Sequence, residues 1–179
     1  DIAKGAALMT GTKYETKLIS GIYEILVNRT GAEIMQKNLE TLGEITYTKD
    51  EINYANTILK ESDKPQIGLN GKVTPLQETL PAQGGSTDVG DVSQVVPTIR
   101  MSATVAADGG PWHSWAVVAC TGMSIGHKGM IYAAKALSMT MADLYKNPKL
   151  VEAVKKDYKK NKSSKPYKPR ILPGPPSLE

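Results

Sequence analysis

The sequence contains no phenylalanine and only one cysteine, Cys120. A single cysteine excludes an internal disulfide and any metal site built from several cysteines of this chain, and it favours the cytosol as the compartment. No apolar run is long enough to span a bilayer, and the first residues lack the basic start and apolar stretch of a signal peptide. We therefore predict a cytoplasmic protein with no membrane partner. Because the sequence begins without Met, we expect it to be processed or to be a piece of a longer protein.

Positive charge is unevenly distributed. The chain carries a net charge of +4, but residues 155–170 contain eight basic residues and one acid, so this stretch carries +7 and the remainder −3. Such a stretch can contact nucleic acid or an acidic partner. It has only two tyrosines and no Arg-rich pattern, which favours a solvated terminus, and we do not expect nucleic acid as a partner. Beyond Asn161 the chain should lie extended over the surface or be disordered.

Helical spacing of apolar residues predicts most of the secondary structure. Capping boxes, in which a Thr hydroxyl and a Glu side chain satisfy two free amides, are expected at Thr30 with Glu33 and at Thr48 with Glu51. The strongest helix follows His127 and ends before a proline. The predicted helical regions are residues 2–9, 30–42, 48–59, a short piece within 84–97, 127–147 and 149–160.

Two stretches favour strands. Residues 13–27 are rich in Thr, Ile and Tyr. In residues 98–106 ("TIRMSATVA") apolar and polar side chains alternate, which predicts a strand with one buried face. Between the helices, residues 62–87 hold three prolines and four glycines, which predicts a long loop. A compact domain rarely carries such a loop without a function.

The stretch "GGPWHSW" (109–115) holds one of the two histidines and both tryptophans. A loop on a rigid scaffold commonly supplies a metal ligand or a catalytic base, and Gly109, Gly110 and Pro111 would form a turn that presents His113. The alternative is a histidine packed between the two indoles. From the residues alone both interpretations stay open.

Other polar residues have structural interpretations that compete with functional ones. His127 fits the first turn of a helix capped by Ser124 better than a second metal ligand, because no third ligand has suitable spacing. Asp88 and Asp91 can bind a cation or cap a helix, and capping is the commoner use. Cys120, among apolar neighbours, is expected to be a buried thiol.

Residues 84–87 present consecutive amides and two hydroxyls at a predicted helix start. This arrangement suits an anionic substrate group such as a carboxylate. It is not a P-loop, because the GxxxxGK[ST] spacing is missing.

Five segments in order resemble one family. They are "IAKGAALMTGT", "NRTGAEIMQKNLETLG", "GSTDVGDVSQVVPTIRMSATV", "PWHSW" and "SIGHKGMIYAAKALSMTMADLYKNPKLV". Together they are similar to the C-terminal part of the aminobenzoyl-glutamate utilisation protein B group, within the metal-dependent aminoacylase/carboxypeptidase amidohydrolases of peptidase family M-twenty. The resemblance covers nearly the whole chain up to the tail, and residues 85–149 are its most specific part.

The resemblance implies an α/β fold, a partial phosphorylase/hydrolase-like zinc-peptidase catalytic domain with the end of an inserted α+β lid that makes the dimer. It implies that residues 1–26 end the lid, residues 27–160 form the C-terminal half of the catalytic domain, and residues 161–179 are an extended basic, proline-rich tail.

The resemblance also implies a site. The family hydrolyses amides with two divalent metals, zinc or manganese, whose bridging water attacks the carbonyl while a glutamate moves the proton. That glutamate and most ligands belong to the N-terminal half of the family's proteins, so no catalytic residue is expected here. His113 matches the last family metal ligand. Gly85, Ser86 and Thr87 match the loop that receives the substrate's carboxylate side, and Asp88 supports that loop.

We therefore expect a C-terminal fragment of an amidohydrolase acting on N-acyl amino acids, such as p-aminobenzoyl-glutamate, or on small dipeptides. Alone it should be inactive and hold no metal, because one ligand cannot hold a catalytic metal. The expected partners are the N-terminal half of the same enzyme, a homodimer or A/B-type hetero-oligomer, and a small acyl-amino acid. The alternative is a non-catalytic α/β binding or interaction module that uses its basic tail.

Overall fold

The computed structural model describes residues 1–78, 85–171 and 174. Within these ranges the chain forms seven helices and no β-strand. The helices are α1 (Ile2–Thr10), α2 (Arg29–Leu42), α3 (Lys49–Glu61), α4 (Val89–Val95), α5 (Trp115–Thr121), α6 (Ser124–Lys146) and α7 (Pro148–Asn161). No helix in the described ranges is long and apolar enough to cross a membrane. The predicted helices are therefore confirmed, and α5 is an additional one.

Helix α6 is the centre of the packing. It contacts α2, α5 and α7, while α7 also contacts α2 and α3 contacts α5. Its packed side is made of small buried residues, among them Gly126, Gly129 and Ala136. A Cβ atom on Gly129 would collide with the carbonyl of Thr104, so the missing side chain lets the neighbouring backbone approach closely. The helix thus contacts its neighbours through close backbone approach along most of this side and through the Ile125 side chain at its start.

A small apolar core joins α3, α5 and the start of α6. It consists of Ala55, Ile58, Leu59, Ala107, Ala116, Cys120 and Ile125. The Cys120 thiol is fully buried there, which confirms the prediction from its apolar neighbours. Burial of side chains as large as Leu59 and Ile125 contributes about 2 kcal/mol each to folding. Because α5 packs into this core, the end of the loop that precedes α5 is held in a fixed position.

Helix α2 begins at an asparagine and not at the predicted threonine. The side chain of Asn28 accepts a hydrogen bond from an amide in the first turn at 2.8 Å. Its amide group also donates to the carbonyl of Val154 in α7 at 2.9 Å. Thr30 lies inside the helix, and Glu33 pairs with Arg29 at 3.0 Å. The capping box predicted with Thr30 is therefore wrong, because Asn28 caps α2 and joins it to α7 at the same time.

Helix α3 begins with the predicted capping box. The Thr48 hydroxyl accepts from the amide of Glu51 at 3.2 Å, and the Glu51 carboxylate accepts from the amide of Thr48 at 2.7 Å. Two free amides of the first turn are thereby satisfied. The local signal in the sequence is sufficient here because both partners lie within one turn.

The Glu51 carboxylate also reaches the first turns of α6. It accepts from the Ser124 hydroxyl and from the Lys128 ammonium, both at 2.6 Å. The prediction that Ser124 caps α6 is wrong, because its hydroxyl is turned to Glu51 and the residue at the cap position is Met123. Burial raises the pKa of Glu51, but the hydrogen bonds from Lys128, Ser124 and Thr48 outweigh it and hold the pKa at about 2.

Replacing Glu51 by Gln should lower the free energy of unfolding by about 2 kcal/mol near neutral pH, because the partly buried ammonium group of Lys128 loses its carboxylate partner. The folded pKa of about 2 lies below the ordinary value of 4.5. The stabilisation is therefore fully present above the ordinary value and is lost as the pH falls toward the folded value. Urea unfolding of both proteins near neutral pH and in acid measures this difference.

The matched control is Glu61→Gln, at the exposed end of the same helix. It should change the free energy of unfolding by less than about 0.5 kcal/mol. Equal losses from the two substitutions, or a Glu51→Gln effect that is the same in acid, would contradict the role given to this carboxylate.

The strand predicted within residues 13–27 is not formed. The backbone amides of Tyr23 and Leu26 donate to side chains of α4, to Asp91 at 3.2 Å and to Ser93 at 2.8 Å. In a sheet these amides would donate to carbonyls of a neighbouring strand. Side chains of a short helix take the place of that strand, which is the physical reason why the prediction fails.

Residues 99–103 keep the predicted alternation without forming a strand, whereas Thr98 and Thr104, predicted on the exposed face, are partly buried. Ile99 and Met101 are half-buried, whereas Arg100 and Ser102 are exposed, and Ile99 packs against helix α2. Alternation reports only that one face is buried, and here a helix covers that face. The predicted α/β class is therefore not supported by the described residues, which are helical and irregular.

The tail packs against the body as far as the structure describes it. The Tyr167 hydroxyl donates to Asp91 at 2.9 Å, and this hydrogen bond raises the pKa of Tyr167. The Tyr23 hydroxyl donates to the carbonyl of Lys168 at 3.0 Å, and the rings of Tyr23 and Tyr167 lie 5.4 Å apart. Residues 162–171 have no helix or strand and most of their side chains are exposed, so the prediction that the tail extends over the surface is confirmed for them, with Tyr167 as a point of attachment. The rest of the predicted tail, apart from residue 174, lies outside the described residues.

Substitution of Asp91 by Ala should release the tail. The carboxylate accepts from both the Tyr23 amide and the Tyr167 hydroxyl, so its loss removes two contacts at once. Trypsin cleavage after the lysines of residues 162–170 should become at least about threefold faster, because cleavage follows local opening. The control is Asp88→Ala. This substitution removes an exposed carboxylate one turn earlier, and that carboxylate makes no capping hydrogen bond. Equal cleavage rates for the two variants would rule out the anchoring role of Asp91.

Candidate functional site

A tight turn holds His113 between the apolar core and α5. Gly109 and His113 both have left-handed backbone, with φ of 73° and 57°. The amide of Asp108 donates to the carbonyl of Gly68 at 2.9 Å. The hydroxyl of Ser114 donates to the carbonyl of Pro111 at 2.6 Å and caps α5. The predicted turn is confirmed, and its two ends are fixed by these bonds and by the packing of α5.

Helix α5 is the element that sequence reasoning missed. The signal was present: Ser114 stands before the apolar run "WAVVACT", and Gly122 follows it. Helical propensity in only seven residues is weak, so burial of Ala116 and Cys120 in the core decides the structure. The helix positions His113, because His113 immediately precedes its capping residue.

The side chain of His113 is exposed. Trp112 and Trp115 leave 70% and 54% of their surface exposed. The alternative of a histidine packed between two indoles is therefore wrong. Beneath the turn lies a cavity of only about 10 Å³, with Trp112 and Ala116 in its wall, which is far smaller than ligand sites. His113 stands on the surface and does not line a closed pocket.

The described residues do not complete a metal centre. No group of three or more His, Cys, Asp or Glu side chains suited to a metal ion occurs among them. His127 lies exposed in the first turn of α6, as predicted. A catalytic zinc site needs three protein ligands, so His113 fits such a site only if other donors come from outside the described residues. The metal-ligand role of His113 stays a prediction.

The predicted substrate loop leads into α4. Gly85 and Ser86 are exposed, and Gly85 has φ of 151°. The Thr87 hydroxyl accepts from the amide of Val89 at 3.3 Å. Asp88 occupies the cap position without a side-chain capping bond. Gly84, which the sequence placed in the same run of amides, lies outside the described residues.

The two parts of the predicted site belong to different regions of the structure. The loop of Gly85–Asp88 is continuous with α4, which packs on the segment around Tyr23 through Asp91 and Ser93. The turn of His113 is attached to α3 and α5. No hydrogen bond or ion pair between described residues joins the two regions. Gly85, Ser86, Thr87 and Asp88 therefore also remain predictions as substrate-binding and supporting residues.

The left-handed backbone of His113 predicts an unusual pattern of substitution. His113→Asn should be nearly neutral, because Asn adopts this conformation readily, whereas His113→Val should lower the free energy of unfolding by about 1–2 kcal/mol. Thermal or urea unfolding of the two variants measures the difference. The corresponding pair Thr121→Asn and Thr121→Val, at the exposed end of α5, serves as the control and should show no such gap. If Val at position 113 were as stable as Asn, the turn would not have this geometry.

Comparison with known proteins relates the chain to part of a hydrolase. It is 31% identical over 191 residues to the B-type subunit of p-aminobenzoyl-glutamate hydrolase from Escherichia coli strain K12. The match covers 93% of this chain and 40% of that relative, so the chain spans less than half of the relative's length. No family model and no solved structure matches the chain. The resemblance inferred from the five segments is confirmed: the chain is a homologue of this hydrolase component.

Proposed function

We propose that the chain is the C-terminal part of a metal-dependent amidohydrolase that cleaves the amide bond of N-acyl amino acids, such as p-aminobenzoyl-glutamate. The observation that carries the proposal is the similarity to the E. coli p-aminobenzoyl-glutamate hydrolase component across 93% of the chain. Because the chain spans 40% of that relative, we propose that the rest of the catalytic machinery lies in the remaining part, and that this chain alone is inactive.

In this proposal His113 is one ligand of a divalent metal, zinc or manganese. Its exposure on a fixed turn supports the role, because a ligand must face the other donors and be held in place. The described residues supply no further cluster of ligands. The other ligands and the general base would therefore come from the remainder of the enzyme, and the chain alone would bind no metal.

Gly85, Ser86 and Thr87 are proposed to hold the carboxylate of the amino acid part of the substrate. Two of the three are exposed, so a substrate can reach them. The Thr87 hydroxyl accepts from the Val89 amide, and a hydroxyl that accepts still has its own hydrogen to donate. Asp88 is proposed to support the loop from the cap position of α4.

The outer side of α6 is proposed to face another part of the enzyme. Met130, Leu137, Met141 and Tyr145 lie along it at helical spacing and expose 59%, 45%, 57% and 85% of their surface. A contiguous apolar stripe of this kind is typical of an interaction surface. The relative is by its name one component of a hydrolase with subunits, which also supports a multi-subunit enzyme, either a homodimer or an A/B-type hetero-oligomer.

Helix α1 has the same character. Ile2, Leu8 and Met9 expose 92%, 75% and 89% of their surface. This exposure supports the proposal that residues 1–26 are the end of an inserted lid domain whose other elements belong to the remainder. Residues 27–160 would then belong to the catalytic domain.

Co-expression of this chain with the remaining part of the E. coli relative tests the proposal. The two polypeptides should copurify and hydrolyse p-aminobenzoyl-glutamate when manganese or zinc is added, whereas neither should do so alone. His113→Ala should reduce hydrolysis at least about a hundredfold, which is more than loss of a residue behind a ligand costs, and bound metal should fall with it.

Two controls keep the outcomes apart. His127→Ala changes the other histidine, which is not proposed as a ligand, and should keep both metal and activity. Met141→Glu on the outer side of α6 should prevent copurification. Halves that copurify without hydrolysis would contradict the proposed activity. Full metal content and turnover in His113→Ala would remove His113 from the site.

A further inference from the structure

A cavity in the described part of the chain lies under the basic tail, away from the residues proposed for hydrolysis. It has a volume of about 430 Å³, within the range of small-molecule sites. Seven residues within 162–170 line it on the tail side, and Tyr23 and Gln94 line it on the side of the body. None of the residues that line it is among those proposed to bind metal or substrate. The cavity therefore requires its own explanation.

The shape of the cavity is fixed by hydrogen bonds beneath it. The hydroxyls of Tyr23 and Tyr167 donate to the carbonyl of Lys168 and to the Asp91 carboxylate. The two rings meet with centroids 5.4 Å apart at 55°. Both phenol groups are thereby oriented, so the aromatic side of the cavity is in place before any ligand arrives.

Four cationic side chains line the cavity, and no carboxylate of the described residues does. They are Lys162, Lys165, Lys168 and Arg170. In the described part of the chain, the cations that form ion pairs are Arg29 and Lys128 alone. The four charges are therefore not neutralised by ion pairs there. Like charges gathered in one concave surface repel each other and raise the local concentration of anions.

Two of the four cations are held by aromatic rings. The Arg170 guanidinium lies 4.6 Å from the centroid of Tyr23, and the Lys162 ammonium lies 5.2 Å from that of Tyr158. A ring attracts a cation without neutralising its charge. These side chains are thus oriented while they keep their full attraction for an anion.

From this geometry we propose that the cavity binds a small ligand with two or more phosphate groups. A single carboxylate would offset one of the four charges, whereas each phosphate monoester carries about 1.5–2 negative charges. Lys and Arg are the residues that hold phosphates in proteins. A concave site of this size, closed on one side by the docked tail, fits a compact polyanion better than a nucleic-acid strand running across the surface. The inference does not depend on the proposed hydrolysis.

Calorimetric titration of the 179-residue chain with inorganic tripolyphosphate tests the proposal. Tripolyphosphate should bind at one site, and binding should weaken as salt is raised. Lys165→Ala combined with Lys168→Ala should weaken binding about tenfold, the sum expected for two exposed ion pairs. Both lysines are exposed, so circular dichroism should show an unchanged fold.

The matched control is Lys155→Ala combined with Lys156→Ala, which removes the same charge from exposed positions of α7 outside the cavity. This variant should lose less than about threefold in affinity, as exposed charges at a distance are screened. Citrate and a single-stranded oligonucleotide are the comparison ligands, and both should bind more weakly than tripolyphosphate. Equal losses in the two double variants, no saturable binding of tripolyphosphate, or tighter binding of the oligonucleotide would overturn the proposal.

Discussion

The buried carboxylate of Glu51 holds the packing of the helices together. It closes the first turn of α3 through Thr48 and binds Ser124 and Lys128 in the first turns of α6. Two helices far apart in sequence are thereby joined at their first turns, and α5 packs with both of them around the apolar core. The turn that carries His113 is attached to this unit, so one ion-pair network fixes the base of the candidate site.

A second constraint comes from α4, whose side chains accept hydrogen bonds from the backbone of a neighbouring segment. Asp91 and Ser93 accept from amides around Tyr23 that the sequence assigned to a strand. Asp91 also receives the hydroxyl of Tyr167 and so anchors the tail. Capping, the commoner use of an aspartate at such a position, is not what Asp91 does. Its role depends on partners 68 and 76 residues away, which no local pattern reveals.

The similarity to a hydrolase component and the surface of the chain both support the proposal that the chain is part of a larger enzyme. His113 is exposed without a cluster of ligands around it in the described residues, and the outer sides of α1 and α6 expose large apolar side chains. The chain spans 40% of its relative and shows such surfaces, which supports the proposal that a larger assembly covers them. The tail cavity differs, because described residues of this chain alone form its lining.

Local spacing along the sequence is sufficient for those features whose partners lie within a turn or two. Helix periodicity, the Thr48 capping box, the buried Cys120 and the turn before Ser114 all follow from it, and five ordered segments were enough to recognise the relative. Which group satisfies each free backbone amide, and which element covers each buried face, depends instead on tertiary contacts. Helix α2 covers Ile99 of the predicted strand, Asn28 replaces Thr30 as a cap, and the tail docks on Asp91. These outcomes depend on contacts between residues that are distant in the sequence. Local propensity does not include the free energies of such contacts.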